Sequence, residues 1–235
     1  MKILTLLYSF LLSASLISQE ASLSRADNIK IFNESQRCFK AAIKEGQKLT
    51  ESRRCAKLSL EAGRSLFEPD SNNIAILTYN YGKTLNKYGK ERRTVLENAT
   101  ELYEYIHGKD SPELIDLLID AEKPNRALSI AEASFGKESI PYADTLLDAG
   151  IGMSDLTRLS SKSRYLKEAL KVYNNEAEGS ESWGASLANF HLGKIKMAQG
   201  KYKSSIPFFL EATKNSSIAS YAHAFLVEAY DRTNQ

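Results

Sequence analysis

The chain has 235 residues, 43% of them hydrophobic and 26% charged, a balance that suits one or two globular domains or one longer repeat array. Thirty-one Lys and Arg against 29 Asp and Glu leave a formal charge of +2. No global field therefore draws nucleic acid or an anionic membrane, and any electrostatic recognition has to be local.

Met1 and Lys2 are followed by the apolar run ILTLLYSFLLSASLI and then by small and polar residues, the n, h and c order of a signal peptide. The run is shorter than the ~20 residues a membrane span needs. Cleavage after Ser18, Ala21 or Ala26 is compatible with the pattern, and Ser24 with Ala26 favours the last, so residues 1–26 are taken as the signal peptide. No later segment is apolar enough to cross a bilayer. The expectation is a secreted or periplasmic protein with no stable membrane insertion.

Residues 27–67 read as an N-terminal helical hairpin, with one helix over 28–45, a turn near 48 and a second helix over 51–67. Export into an oxidising compartment favours a disulfide between Cys38 and Cys55. In this register the two cysteines face each other roughly one turn apart, within reach of the ~4.4–6.8 Å Cα separation a bridge requires. Two buried core thiols remain the alternative.

From residue 68 to 235 one stretch recurs. DSNNIAILTYNYG (70–82), DSPELIDLLIDAE (110–122), ESIPYADTLLDAG (138–150) and ESWGASLANFHLG (181–193) each open on an acidic residue and Ser, and three of the four close on Gly. A fainter copy starts at Ser216. An acidic residue and a capping Ser satisfy orphan amides at a helix start, apolar residues three and four apart make an amphipathic helix, and a closing small residue lets a second helix approach. Second helices follow over 92–108, 125–136, 163–179 and 202–215. The Ser positions 71, 111, 139, 182 and 216 are one helix pair apart, the signature of a helical array. Strand signals are nearly absent, so the predicted class is all-α.

The segment NFHLGKIKMAQGKYKSSIPFFLEATKNSS resembles a tetratricopeptide repeat through Leu192, Gly193, Gly200, Tyr202, Ile206, Phe209 and Ala212, and Leu226 and Tyr230 continue the pattern. The earlier copies resemble the longer variant found in kinesin light chains. The resemblance implies a right-handed α-solenoid of antiparallel helix hairpins, about five to six in number with the last incomplete. It also implies a concave groove, lined by the first helices, that holds a protein or extended peptide.

Counting from each Ser assigns to that groove Tyr79, Lys83 and Asn86 in the first clear copy and Asp116, Lys123 and Arg126 in the second. The third contributes Asp144 and Ile151, and the fourth Phe190 and Lys194. Lys83, Lys123 and Lys194 share one motif position, so together they form a ladder suited to an acidic peptide or a terminal carboxylate. The plainer alternative is that each Lys solvates an exposed face. Ile151 interrupts the ladder with an apolar contact. The final helix lacks a partner, which makes Phe225, Leu226 and Tyr230 an expected interface for self-association or for docking within a larger complex.

HExxH, GxSxG, GxxxxGK and CxxC are all missing from the sequence. The fragment GIGMSD follows a helix, where a dinucleotide fingerprint requires a strand. Glu104 and His107 lack the second ligand set of a di-iron site, and His107, His191 and His223 are scattered. No catalytic residue, metal or cofactor is expected. The chain reads as an exported non-enzymatic adaptor or scaffold. The alternative is a structural subunit of an envelope complex, by analogy with exported repeat proteins that serve TonB-like systems.

Overall fold

The computed structural model describes residues 23–44, 49–152, 158–175 and 182–233. The predicted signal peptide lies, up to residue 22, outside the described residues. Eleven α-helices and one 3-10 turn make up the regular structure of the described residues, with no strand among them. The chain divides into two compact units, Met1–Thr84 and Leu85–Gln235.

The first unit contains α1 (Arg25–Lys44), α2 (Leu49–Arg64) and α3 (Asn72–Thr84), each packed on the next. Ser24 and Asp27 start α1 reciprocally: the Asp27 amide donates to Ser24 Oγ at 3.1 Å, and the Ser24 amide donates to Asp27 Oδ2 at 3.2 Å. That is a capping box, which stabilises a helix start. Phe39, Cys55, Ala56, Leu60, Ile74, Ala75 and Leu77 fill the core. A buried hydroxyl chain runs through it, with Ser59 Oγ donating to Ser35 Oγ at 2.8 Å and Ser35 Oγ donating to the Phe32 carbonyl at 3.0 Å. Helices α2 and α3 approach closely at Gly63, where a Cβ would stand 2.5 Å from a Leu77 methyl. Cys38 and Cys55 are joined as a disulfide with their Cα atoms 5.9 Å apart. The bridge fits an oxidising location.

The second unit contains α4 (Lys90–His107), α5 (Ile115–Asp120, after the 3-10 turn Pro112–Leu114), α6 (Pro124–Phe135), α7 (Ile140–Gly152) and α8 (Leu159–Tyr173), then α9 (Trp183–Ala198), α10 (Tyr202–Ala212) and α11 (Ser216–Thr233). Each helix packs on its successor, and α5 also packs on α7, α7 on α9 and α9 on α11. Alternate helices therefore form a contiguous layer, the contact pattern of stacked hairpins. One core cluster runs from Leu114 to Ile195, and a second joins Ile206, Phe209, Leu226 and Ala229.

The echoed motif explains this regularity. Ser71 Oγ accepts from the Ile74 amide at 3.4 Å, Ser139 Oγ from the Tyr142 amide at 3.3 Å and Ser182 Oγ from the Ala185 amide at 3.2 Å, so the repeated Ser caps α3, α7 and α9. The glycines of the preceding Gly-Lys pairs end the helices before them: Gly108 and Gly136 have φ of 92° and 82°, a conformation that costs glycine nothing. The closing glycines set helix spacing instead. A Cβ on Gly150 would meet Leu166 Cγ at 2.7 Å, and one on Gly193 would meet the Phe209 ring at 2.6 Å. Where Glu122 takes the place of this Gly, its φ is 58° and α5 stops at Asp120. The sister helices continue through that position.

Candidate functional site

The residues five and nine places after the Ser of each motif copy lie four apart on one helix face. In α5 and α7 they are Asp116 with Asp120 and Asp144 with Asp148, the same pair in both halves of the echo. Asp116, Asp144 and Asp148 reach solvent and Asp120 is half-buried, whereas Leu117, Leu118, Leu146 and Leu147 point into the core. Because α5 packs on α7, the four carboxylates share one acidic face. Each of them has a partner. Arg92 donates to Asp120 Oδ1 at 3.1 Å, the Tyr173 hydroxyl donates to Asp144 Oδ1 at 2.6 Å, and Asp116 acts electrostatically on the Tyr103 hydroxyl.

Asp148 acts electrostatically on the Tyr173 hydroxyl, and carboxylates act on it in turn. Surrounding protein displaces enough water to push its carboxyl up to about 6, with Asp116, Asp144 and Asp120 adding to the effect in that order. The unfolded chain, with an ordinary carboxylate, then holds fewer protons than the folded chain between pH 3.8 and about 6. Stability therefore falls as pH rises through that window. Because the side chain reaches water, the penalty at neutral pH is screened to about 1 kcal/mol or less. Asp148→Asn is expected to melt higher than the parent chain at neutral pH and level with it at pH 4, as followed by circular dichroism. A melting difference independent of pH would contradict the electrostatic origin.

The nine-place position becomes His191 in α9, and the five-place position becomes Leu187. Burial first, and then Lys194 and Lys162, pull the His191 imidazole down to about 4, so it is neutral at physiological pH. Beside it Phe190, Phe209 and Phe225 form an aromatic cluster, with Phe190 edge-on to Phe225 at 5.4 Å and Phe209 stacked on Phe225 at 5.5 Å. Lys194 Nζ lies 5.5 Å from the Phe190 centroid and 5.7 Å from that of Phe225. Cation–π attraction holds its ammonium over the rings.

The structure places the other sequence-predicted residues as follows. Lys83 and Tyr79 sit together in the first unit, with Nζ 5.0 Å from the ring centroid. Asn86 belongs to the turn before α4, where its Oδ1 accepts from the Tyr88 amide at 3.1 Å. Lys123 lies in the turn after α5, at the N-cap of α6, because the left-handed Glu122 ends the helix early. It does not share the mid-helix setting of Lys194. Arg126 belongs to α6, where its guanidinium donates to Glu104 Oε1 at 2.5 Å and to the Lys109 carbonyl at 2.7 Å, tying α6 to α4 and the loop that follows it. Ile151 is half-buried against the main core cluster. In α11 Leu226 is buried with Ile206 and Phe209, and Phe225 packs on the same cluster. Tyr230 is exposed with Tyr221 and Val227.

Asp120, Asp148 and Tyr173 are absent from the sequence-based list. The signal for the two Asp residues is in the echo itself, since LLIDAE and LLDAG carry Asp at the same place. Tyr173 carries no such signal, because its partner Asp144 comes from a helix 29 residues earlier.

No family model and no curated protein matches the chain. Among solved structures the chain is similar to BtubC (BKLC) from P. vanneervenii, with 14% sequence identity and a TM-score of 0.47, over 89% of this chain and 83% of that chain.

Proposed function

We propose that the chain is an exported, non-enzymatic protein- or peptide-binding adaptor, a right-handed tetratricopeptide-like solenoid of about five to six hairpins with its partner seated along the first helices. The observation that supports this best is the division of labour in α5, α7 and α9. Their leucines and alanines build the core, while one shared motif face carries Asp116, Asp120, Asp144, Asp148, Leu187 and His191 outward or to the half-buried border. A face of varied, chemically distinct side chains on contiguous helices is what recognition of an extended segment uses. Export is supported by the disulfide and by the N-terminal sequence pattern. A signal-peptide cut after Ser18 or Ala21 keeps the Ser24 cap on α1, whereas a cut after Ala26 removes it.

Photo-crosslinking groups at Asp116 and Leu187, compared with Glu132 and Glu168 on the second helices, test the reading in the native compartment. Adducts to a discrete polypeptide from the first pair but not the second are expected. Equal labelling from both pairs, or none, would overturn it. The assembly alternative draws on the exposed Tyr221, Val227 and Tyr230 of α11, and it predicts adducts from Val227 instead.

A further inference from the structure

Opposite in sign to the acidic face, a second surface of the same unit gathers cations around the turn between α5 and α6. A cleft of about 580 Å³ lies on one side of Glu122 and Lys123, and a cleft of about 520 Å³ lies on the other, both lined by these two residues. The first is walled by Lys87, Lys90 and Arg93 and the second by Arg158 and Arg164, all exposed, with Lys123 between them. Counting all lining residues, eight cationic side chains meet three carboxylates, Glu97, Asp120 and Glu122, in a chain whose net charge is only +2. Of the eight, Arg92 and Arg126 are turned to internal carboxylates. Lys87 donates its ammonium to the Gly152 carbonyl at 2.5 Å, and Lys90, Arg93, Lys123, Arg158 and Arg164 form the outward rim.

The local design departs from what helix stability alone favours. Gly89, Lys123 and Arg158 are the N-caps of α4, α6 and α8, and none of the three starts has a side-chain cap bond. Cations at the positive end of a helix are unfavourable, and the same chain places Ser at the N-caps of α7 and α9. Lys and Arg at these starts add positive potential to clefts already lined with it. Concave walls of one sign focus the field and raise the local concentration of an anion.

We infer that this double cleft is a binding site for an extended acidic polypeptide segment, distinct from the first-helix face. The three carboxylates set among the cations decide the class of ligand. A polynucleotide presents phosphate at every step and meets Glu97 and Glu122 repulsively. An Asp- and Glu-rich segment has discrete charges with backbone and small residues between them, so it can place carboxylates on the Lys and Arg side chains and pass the acidic positions with neutral ones. Exposed guanidinium groups at Arg93 and Arg164 offer forked donors that match carboxylates.

The test is fluorescence anisotropy on the full chain with a labelled Asp/Glu/Gly peptide of about 12 residues, an extended length of roughly 40 Å, against single-stranded RNA of equal charge and anionic vesicles. Saturable binding of the peptide that weakens with salt is expected, weakened about tenfold or more by Lys90→Glu, Lys123→Glu and Arg158→Glu together. A second charge-reversed variant outside both clefts, Lys201→Glu with Lys203→Glu, is expected to leave it unchanged. Unaltered far-ultraviolet dichroism shows that each variant is folded. If the charge-reversed protein has lost its helicity, the milder Lys123→Ala with Arg164→Ala is read instead, with at least a threefold loss expected. No peptide binding, equal binding by the charge-reversed chain, tighter binding of RNA or vesicles, or a salt-sensitive doubling of mass in light scattering that excludes the peptide would each overturn the inference.

Discussion

Phe209→Ala is expected to lower the unfolding free energy by about 3–5 kcal/mol, a large share of the ~5–15 kcal/mol that holds a typical domain. The ring is fully buried in α10, stacked on Phe225 at 5.5 Å and tilted against Phe190 at 6.0 Å, with Ile206, Leu226 and Ala229 completing its shell. On its remaining side is the backbone of α9 at Gly193, where even one added carbon would overlap the ring at 2.6 Å. Gly193 has no side chain to swing into the void left by truncation, so the cavity stays open and its cost adds to the lost transfer energy. The converse change, Gly193→Leu, forces side-chain atoms into the ring and is destabilising through overpacking. Chemical unfolding followed by circular dichroism measures both. Val227→Ala, at an exposed position on α11, serves as the control and is expected to change stability by less than about 0.5 kcal/mol. A loss below about 1 kcal/mol for Phe209→Ala would contradict the packing of α9, α10 and α11 described above.

The same residues show what the sequence makes legible and what it does not. Ser at the start and Gly at the close of each copy act through local chemistry, a cap and a close approach, so the starts of α3, α7 and α9 and the tight contacts at Gly150 and Gly193 follow from short-range pattern. The early end of α5 does not. Pro124 announces that a helix cannot run through Lys123, but not that it ends as early as Asp120, because Glu122 occupies a left-handed conformation that glycine takes freely and Glu seldom does. The displacement of Lys123 out of the helix follows from that one dihedral. Face assignment was the second difficulty. Counting five places from the Ser selects Asp144, which reaches solvent, and counting twelve selects Ile151, which is half-buried against the core, while Asp148, nine places on and also at solvent, is passed over. Periodicity gives the angular separation of two residues on a helix but not which stripe its neighbours cover. For the same reason Leu226 and Tyr230 look equivalent in sequence, yet one belongs to the core and the other to the surface. The rim of Lys90, Lys123 and Arg158 was illegible for a third reason: it is assembled from three helix starts far apart in the chain.

Reducing the disulfide between Cys38 and Cys55 is expected to cost the first unit about 3 kcal/mol. The sequence separation of 17 closes a loop whose entropy in the unfolded chain accounts for that amount in the chain-entropy model. The bridge matters more here than its size suggests, because the helices described in this unit have buried faces rich in small residues: Ser35 and Ala42 in α1, and Ser52, Ala56, Ser59 and Ala62 in α2. Such faces remove little apolar area from water per residue ordered, so a covalent link carries stabilisation that Leu and Phe carry in the second unit. Cys55 is almost fully buried, so replacement by Ser adds an unpaired hydroxyl to the effect of losing the bond, and Cys38→Ala with Cys55→Ala is the cleaner variant. Hydrogen exchange read by mass spectrometry resolves the consequence by segment. With reductant, or in the Ala variant, amides of residues 25–44 and 49–64 are expected to exchange faster by about two orders of magnitude, the factor that 3 kcal/mol corresponds to when they open with the unit. Unchanged protection in α1 after full reduction would show that noncovalent packing alone holds the helix. The expected loss would instead mean that the fold of this unit depends on an oxidising compartment, which ties its stability to the export proposed for the chain.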